Sequence, residues 1–104
     1  MSISNAFQVF LDEAPGHAQA WMGAVQGLDK ASALDKKTEE LTYIAVLAAA
    51  RLTSGIPFHV ESAKQSGATR EEIISAVLIG LPAVGNAVIQ SLPVALEAFD
   101  GRSS

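Results

Sequence analysis

Apolar residues recur along this chain at spacings of three and four, the period of helices, and no stretch keeps a two-residue alternation for long. Ser4 stands where it can cap a first helix carrying Phe7, Phe10 and Leu11 on one side, and Ala14-Pro15 stops it. A second helix is predicted over residues 15–28, with Trp21, Val25 and Leu28 at helical spacing, followed by a polar connector over 29–34. Asp35 is a good N-cap for a long helix over 36–53, whose Leu41, Ile44, Ala45, Leu47, Ala48 and Leu52 form a broad apolar face. Ser54-Gly55 closes it, and Pro57 sits near the start of a helix that runs to Gly67. Thr69-Arg70-Glu71-Glu72, with Ile73 directly after, reads as a capping box. The last helices occupy residues 71–99, with breaks near Gly80-Leu81-Pro82 and Leu92-Pro93. The pattern predicts an all-α protein, a single-domain bundle of about six helices over residues 1–104.

Composition sharpens this picture. Hydrophobic residues make up 49% of the chain and charged residues 17%, against about 25% charged in ordinary globular proteins. Disorder is excluded, and a chain this small and apolar is expected to bury part of its surface against other copies of itself. Residues 73–96 carry no charge and are long enough to span a bilayer, but Gly80, Pro82, Gly85, Asn86, Gln90 and Pro93 interrupt them, so a buried core is expected and no membrane span. The first thirteen residues lack a basic leader region, and a cytoplasmic location is expected. A net charge of −4 with seven scattered basic residues argues against nucleic acid as a partner.

Few side chains can carry chemistry. Cysteine is absent, which removes disulfides, thiolate nucleophiles and cysteine-ligated metals. No phosphate-binding glycine loop is present, and His59 and Glu61 point different ways on a helix, so no cofactor and no metal site are expected. His17, near a helix start beside Gly16, reads as an exposed residue without a role. His59 lies within one turn of a helix N-terminus and is either a histidine hydrogen-bonded in a helix seam or a neutral proton-transfer group. Glu40 shares a helix face with Ile44, Leu47 and Arg51, so it is either a boundary residue or a buried acid.

Glu40-Leu41 opening the long helix, His59, Ala63 and the run Gly67-Ala68-Thr69-Arg70-Glu71-Glu72-Ile73 together resemble the carboxymuconolactone decarboxylase-like family, which includes the alkylhydroperoxidase D-type proteins. The intervals, nineteen residues from Glu40 to His59 and eight from His59 to Gly67, match that family's pattern. The resemblance implies an all-helical protomer that assembles into trimers or hexamers. Peroxidase-type members carry a Cys-x-x-Cys pair, whose positions here hold Leu52 and Gly55, so thiol peroxidase chemistry is not available.

Members similar to the decarboxylase itself also lack the pair. The resemblance therefore implies a thiol-independent lyase or isomerase acting on a small carboxylated lactone or organic acid. In that reading Glu40 and His59 are catalytic, with His59 delivering or relaying a proton and Glu40 setting its tautomer or serving as the base. Arg51 would bind a substrate carboxylate, and Ser54 would supply a hydrogen bond. The alternative is a non-catalytic oligomeric binding or scaffold protein that kept the fold. Geometry poses a difficulty for the first reading. In a straight hairpin turning at Ser54-Gly55, Glu40 and His59 would stand roughly 15 Å apart at 1.5 Å per residue, so they would need a wide helix crossing or a Glu40 from a neighbouring subunit.

Overall fold

A computed structural model describes residues 3–102, and among them the chain is helical with no strand. Helix α1 (Asn5–Glu13) starts where the Ser4 hydroxyl accepts from the Phe7 amide at 3.1 Å. It stops at Ala14, because Pro15 disfavours helical backbone in the residue before it. That proline opens α2 (Pro15–Ala31), which continues three residues past the expected end at Leu28. Asp29, Lys30 and Ala31 are polar or small but contain no breaker, so polarity alone did not end the helix.

Asp35 caps α3 (Lys36–Ala49), accepting from the Thr38 amide at 2.8 Å. The helix ends four residues before the expected Thr53. At its end the Arg51 amide donates to the Ala48 carbonyl at 3.2 Å and the Leu52 amide to the Leu47 carbonyl at 2.9 Å. This is the hydrogen-bond pattern of a Schellman cap, and the left-handed position, usually glycine, is held by Arg51 at φ 61°. A short 3₁₀ turn (Thr53–Gly55) then leads into α4 (Ile56–Gln65) with a proline in its first turn. The end of α4 is a second Schellman cap with Gly67 at φ 98°. Ala68, the residue after it, is buried beside Ala63, which completes the motif.

Thr69 and Glu72 form both bonds of the capping box that starts α5 (Arg70–Leu78), at 3.1 and 2.9 Å. The rest of the apolar run divides into a single turn, α6 (Leu81–Val84), a 3₁₀ segment (Gly85–Ser91) and α7 (Leu92–Asp100). By length and composition the stretch Arg70–Asp100 is apolar enough to cross a membrane. In the fold it is broken at the glycines and prolines, and Ile73, Val77, Val88 and Ala95 are fully buried. With α6 only four residues long, six longer helices remain among the described residues.

The core joins α3, α4, α5 and α7 through Ile44, Leu47, Ala48, Ile56, Val60 and Ala63 together with those apolar residues. Lys37 to Glu72 at 3.1 Å and Arg70 to Asp100 at 3.0 Å tie the same helices together at the surface. Helices α1 and α2 pack against each other, and Ala18 is their one buried residue among those described. Trp21 on α2 is therefore 56% exposed and Leu28 72% exposed, although both belong to the apolar pattern at helical spacing from which α2 was predicted.

Candidate active site

The shorter α3 removes the difficulty posed by the pairing of Glu40 and His59. The chain reverses around Arg51 instead of Ser54-Gly55, which slides α4 along α3 by about seven residues, or roughly 10 Å at 1.5 Å per residue. Gly55 now lies against Leu47, the His59 ring stacks on Tyr43, and Ser62 reaches Glu40. His59 Nδ1 stands 2.7 Å from Glu40 Oε1 within one chain. Neither a wide helix crossing nor a second subunit is required for the two to meet.

Glu40 is 5% exposed, and its carboxyl is held by three partners. Besides His59, Ser62 Oγ donates to Oε2 at 3.0 Å and Lys36 Nζ pairs with Oε2 at 3.0 Å. Burial disfavours the carboxylate, but the hydrogen bonds from His59, Lys36 and Ser62 outweigh it and hold the carboxyl down at about 2. An ionised carboxylate can only accept, so the shared proton belongs to His59 Nδ1. In the neutral ring that leaves Nε2 as a hydrogen-bond acceptor and a base. The imidazole is also held in plane. Tyr43 stacks on it with centroids 4.2 Å apart at 23°, and Phe58 meets its edge at 5.2 Å and 73°.

His59 forms part of the wall of a cavity of about 380 Å³ between the α1–α2 pair and the α3–α4 hairpin, within the size range of small-molecule sites. The wall is mainly apolar, with Phe7 from α1, Trp21 and Met22 from α2, Leu47 from α3 and Phe58 from α4. Among the lining residues Ser4, Trp21, Tyr43, Ser54 and His59 carry polar side-chain groups. Glu40 is not in the wall. It lies behind His59, the place of a residue that orients the ring.

The other two candidates separate. Ser54 lines the cavity, and Gly55, where the resemblance would put the second cysteine, lies beside it in the wall. Arg51 is exposed and does not line the cavity. Its alignment with Glu40, Ile44 and Leu47 assumed a helix through residue 53, and the left-handed turn takes it off that face. Sequence reasoning had passed over Ser62, Lys36 and Tyr43 as parts of the site. Their spacing carried the signal, since Ser62 follows His59 by three, and Lys36 and Tyr43 flank Glu40 by four and three, the distances that place residues on one helix face. His17 is exposed on α2 and takes no part. Among the described residues no three His, Asp or Glu side chains converge as metal ligands would.

Comparison with known proteins matches residues 15–97 to the Carboxymuconolactone decarboxylase family. Among solved structures, the chain is similar to the apo form of a carboxymuconolactone decarboxylase family protein from Legionella pneumophila, with 30% sequence identity and a TM-score of 0.79. That similarity covers 97% of this chain and 90% of the other. No curated protein matches significantly. The matched span contains α3, α4 and α5 whole, with both Glu40 and His59, so the chain belongs to the carboxymuconolactone decarboxylase family.

Proposed function

We propose that this protein is a thiol-independent lyase or isomerase that moves a proton on a small lactone or organic acid, with His59 as the acid–base group. The observation that carries this reading is the Glu40–His59 pair, 2.7 Å apart, with the imidazole in the wall of a small-molecule cavity and the carboxylate behind it. In an isomerisation Nε2 accepts a proton from a carbon next to the carbonyl and returns it at the new position. In a decarboxylation the carbon–carbon bond to the carboxylate breaks, carbon dioxide leaves, and the enolate left behind takes its proton from the protonated ring at Nε2. Glu40 keeps the other proton on Nδ1 and stabilises the imidazolium while it exists. Ser54 offers the carbonyl oxygen a hydrogen bond. The chain has no cysteine, so none of these steps involves a thiol.

A panel of lactones and 3-oxo acids tests the reading. His59→Ala should lower turnover about 10²–10⁴-fold on any substrate found, the usual contribution of one acid–base group. Full activity in that variant refutes the role. The mainly apolar wall favours one competing function, a non-catalytic protein that binds a small apolar molecule. Ligand binding without turnover across the panel would support that alternative.

We also propose that the protein works as a homo-oligomer, a trimer or hexamer. The exposed apolar side chains Trp21, Leu28, Val46 and Ile79 support this, since such residues in number mark association surfaces. Light scattering at micromolar concentration that returns the 10.8 kDa monomer mass overturns it.

A further inference from the structure

Along the seam between α3 and α4 the contacts run in order, Ser62 on Glu40, His59 on Tyr43 and Gly55 on Leu47. His59 Nδ1 is turned toward the Glu40 end of that seam, so Nε2, across the ring, faces the Gly55 end. The cavity lies on that side, since its wall includes His59, Gly55 and Leu47 and leaves out Glu40 and Ser62. Gly55 precedes His59 by four residues, about one helical turn, and a helical side chain leans back over the turn before it. Gly55 is therefore the neighbour of the base along its own helix, in the same wall.

Nothing in the backbone asks for glycine at this position. Its φ of −86° and ψ of −12° suit any residue, unlike the φ of 98° at Gly67. A carbon added there would meet the two terminal carbons of Leu47 at 3.4 and 3.7 Å, ordinary contact distances. Among the described residues beyond its chain neighbours it would meet no other side chain within 4 Å. A methyl group thus fits the fold, and what the missing side chain leaves is space in the cavity. We propose that Gly55 is a specificity-determining residue: by carrying no side chain it keeps open the approach to His59 Nε2 and sets the width of the substrate group that can stand against it. This role rests on the acid–base function given to His59 above and adds what governs access to that ring. A branched side chain at residue 55 would fill the place of the reacting carbon, whereas the Glu40–His59 pair, at the other end of the seam, would stay as it is.

Diethyl pyrocarbonate acylates an unprotonated imidazole nitrogen and needs no substrate, so it measures the approach directly. The intact protein is treated at neutral pH, and the peptides that carry His59 and His17 are followed by mass spectrometry. His17 is exposed on α2 and outside the cavity wall, which makes it the internal standard. Gly55→Val should lower the rate at His59 relative to His17 about tenfold, the usual scale for overfilling a site, and Gly55→Ala should fall between. Urea unfolding should find Gly55→Ala at least as stable as the wild type. Unfolding would expose His59 and speed its acylation, so a misfolded variant cannot imitate the expected slowing. Should Gly55→Val not fold, the ratio in Gly55→Ala decides. An unchanged ratio, or a wild-type His59 that the reagent does not reach, overturns the proposal. A clear loss of stability in Gly55→Ala also overturns it, because the glycine would then serve the fold. Turnover is measured separately. Slowed acylation in the Gly55 variants together with full activity in His59→Ala would remove the catalytic reading and leave Gly55 in control of access to the ring.

Discussion

Replacing Glu40 with glutamine tests the centre of the site through stability, where the magnitude can be worked out. The carboxyl is lowered from its ordinary value of 4.5 to about 2, and at about 1.36 kcal/mol per unit this corresponds to about 3 kcal/mol of folding stability. A group whose pKa is depressed by folding contributes that stability above its unfolded value and loses it as the pH falls through the folded one. The window therefore runs from about pH 5 down to about pH 2, and about 2 kcal/mol should be gone by pH 3.

Glutamine keeps the shape but cannot ionise, so Glu40→Gln lacks this contribution at every pH. The assay is urea unfolding of both proteins at pH 6 and pH 3, at one protein concentration because any association would add its own stability. The other carboxyls depressed by partners, Asp35, Glu72 and Asp100, are common to both proteins and cancel in the difference. The gap between wild type and variant should close by about 2 kcal/mol between the two pH values. A gap that stays constant would refute the claim that His59, Lys36 and Ser62 hold a buried carboxylate ionised.

Three further outcomes are expected. Gly67→Ala forces a Cβ onto backbone at φ 98° and should cost about 1–2 kcal/mol in unfolding free energy, although the position has open space around it; a neutral result would mean the α4 cap can rearrange. Ser91 is fully buried and its hydroxyl has no partner among the described residues, so Ser91→Ala should leave stability unchanged or raise it by about 1 kcal/mol, and a clear loss would reveal a bond that the fold does not show. Arg51→Ala should change the affinity of a neutral lactone by less than about twofold, since the guanidinium is outside the cavity wall; a tenfold loss by fluorescence titration would return Arg51 to the binding site.

How much of the site was legible varied with how local its causes are. Glu40 and His59 were singled out from spacing and family resemblance, and both proved to belong to one constellation. Their partner Ser62 sat at a readable interval but lacked any reason to be chosen until Glu40 was known to face α4. Trp21, read from the sequence only as part of a helical apolar pattern, and Tyr43, not singled out there, line the cavity, because α1 and α2 pack on each other and leave space against α3 and α4. Arg51 was placed on the Glu40 face by a helix assumed to run four residues too far.

The residues themselves determined the starts of the helices and the absence of thiol chemistry. Ser4, Asp35 and Thr69 each satisfy amides within three positions, a bond that needs no distant contact, and all three cap where expected. Tertiary structure decided where α3 ends. Arginine has no preference for left-handed backbone and adopts it at a cost of about 1–2 kcal/mol, so nothing local marks residue 51 as a turn. Packing of Ile44, Leu47 and Ala48 against Ile56 and Val60 offsets that cost. The same packing brings His59 to Glu40, which is why the meeting of the two catalytic candidates could be suspected from the chain but only the folded hairpin could place them 2.7 Å apart.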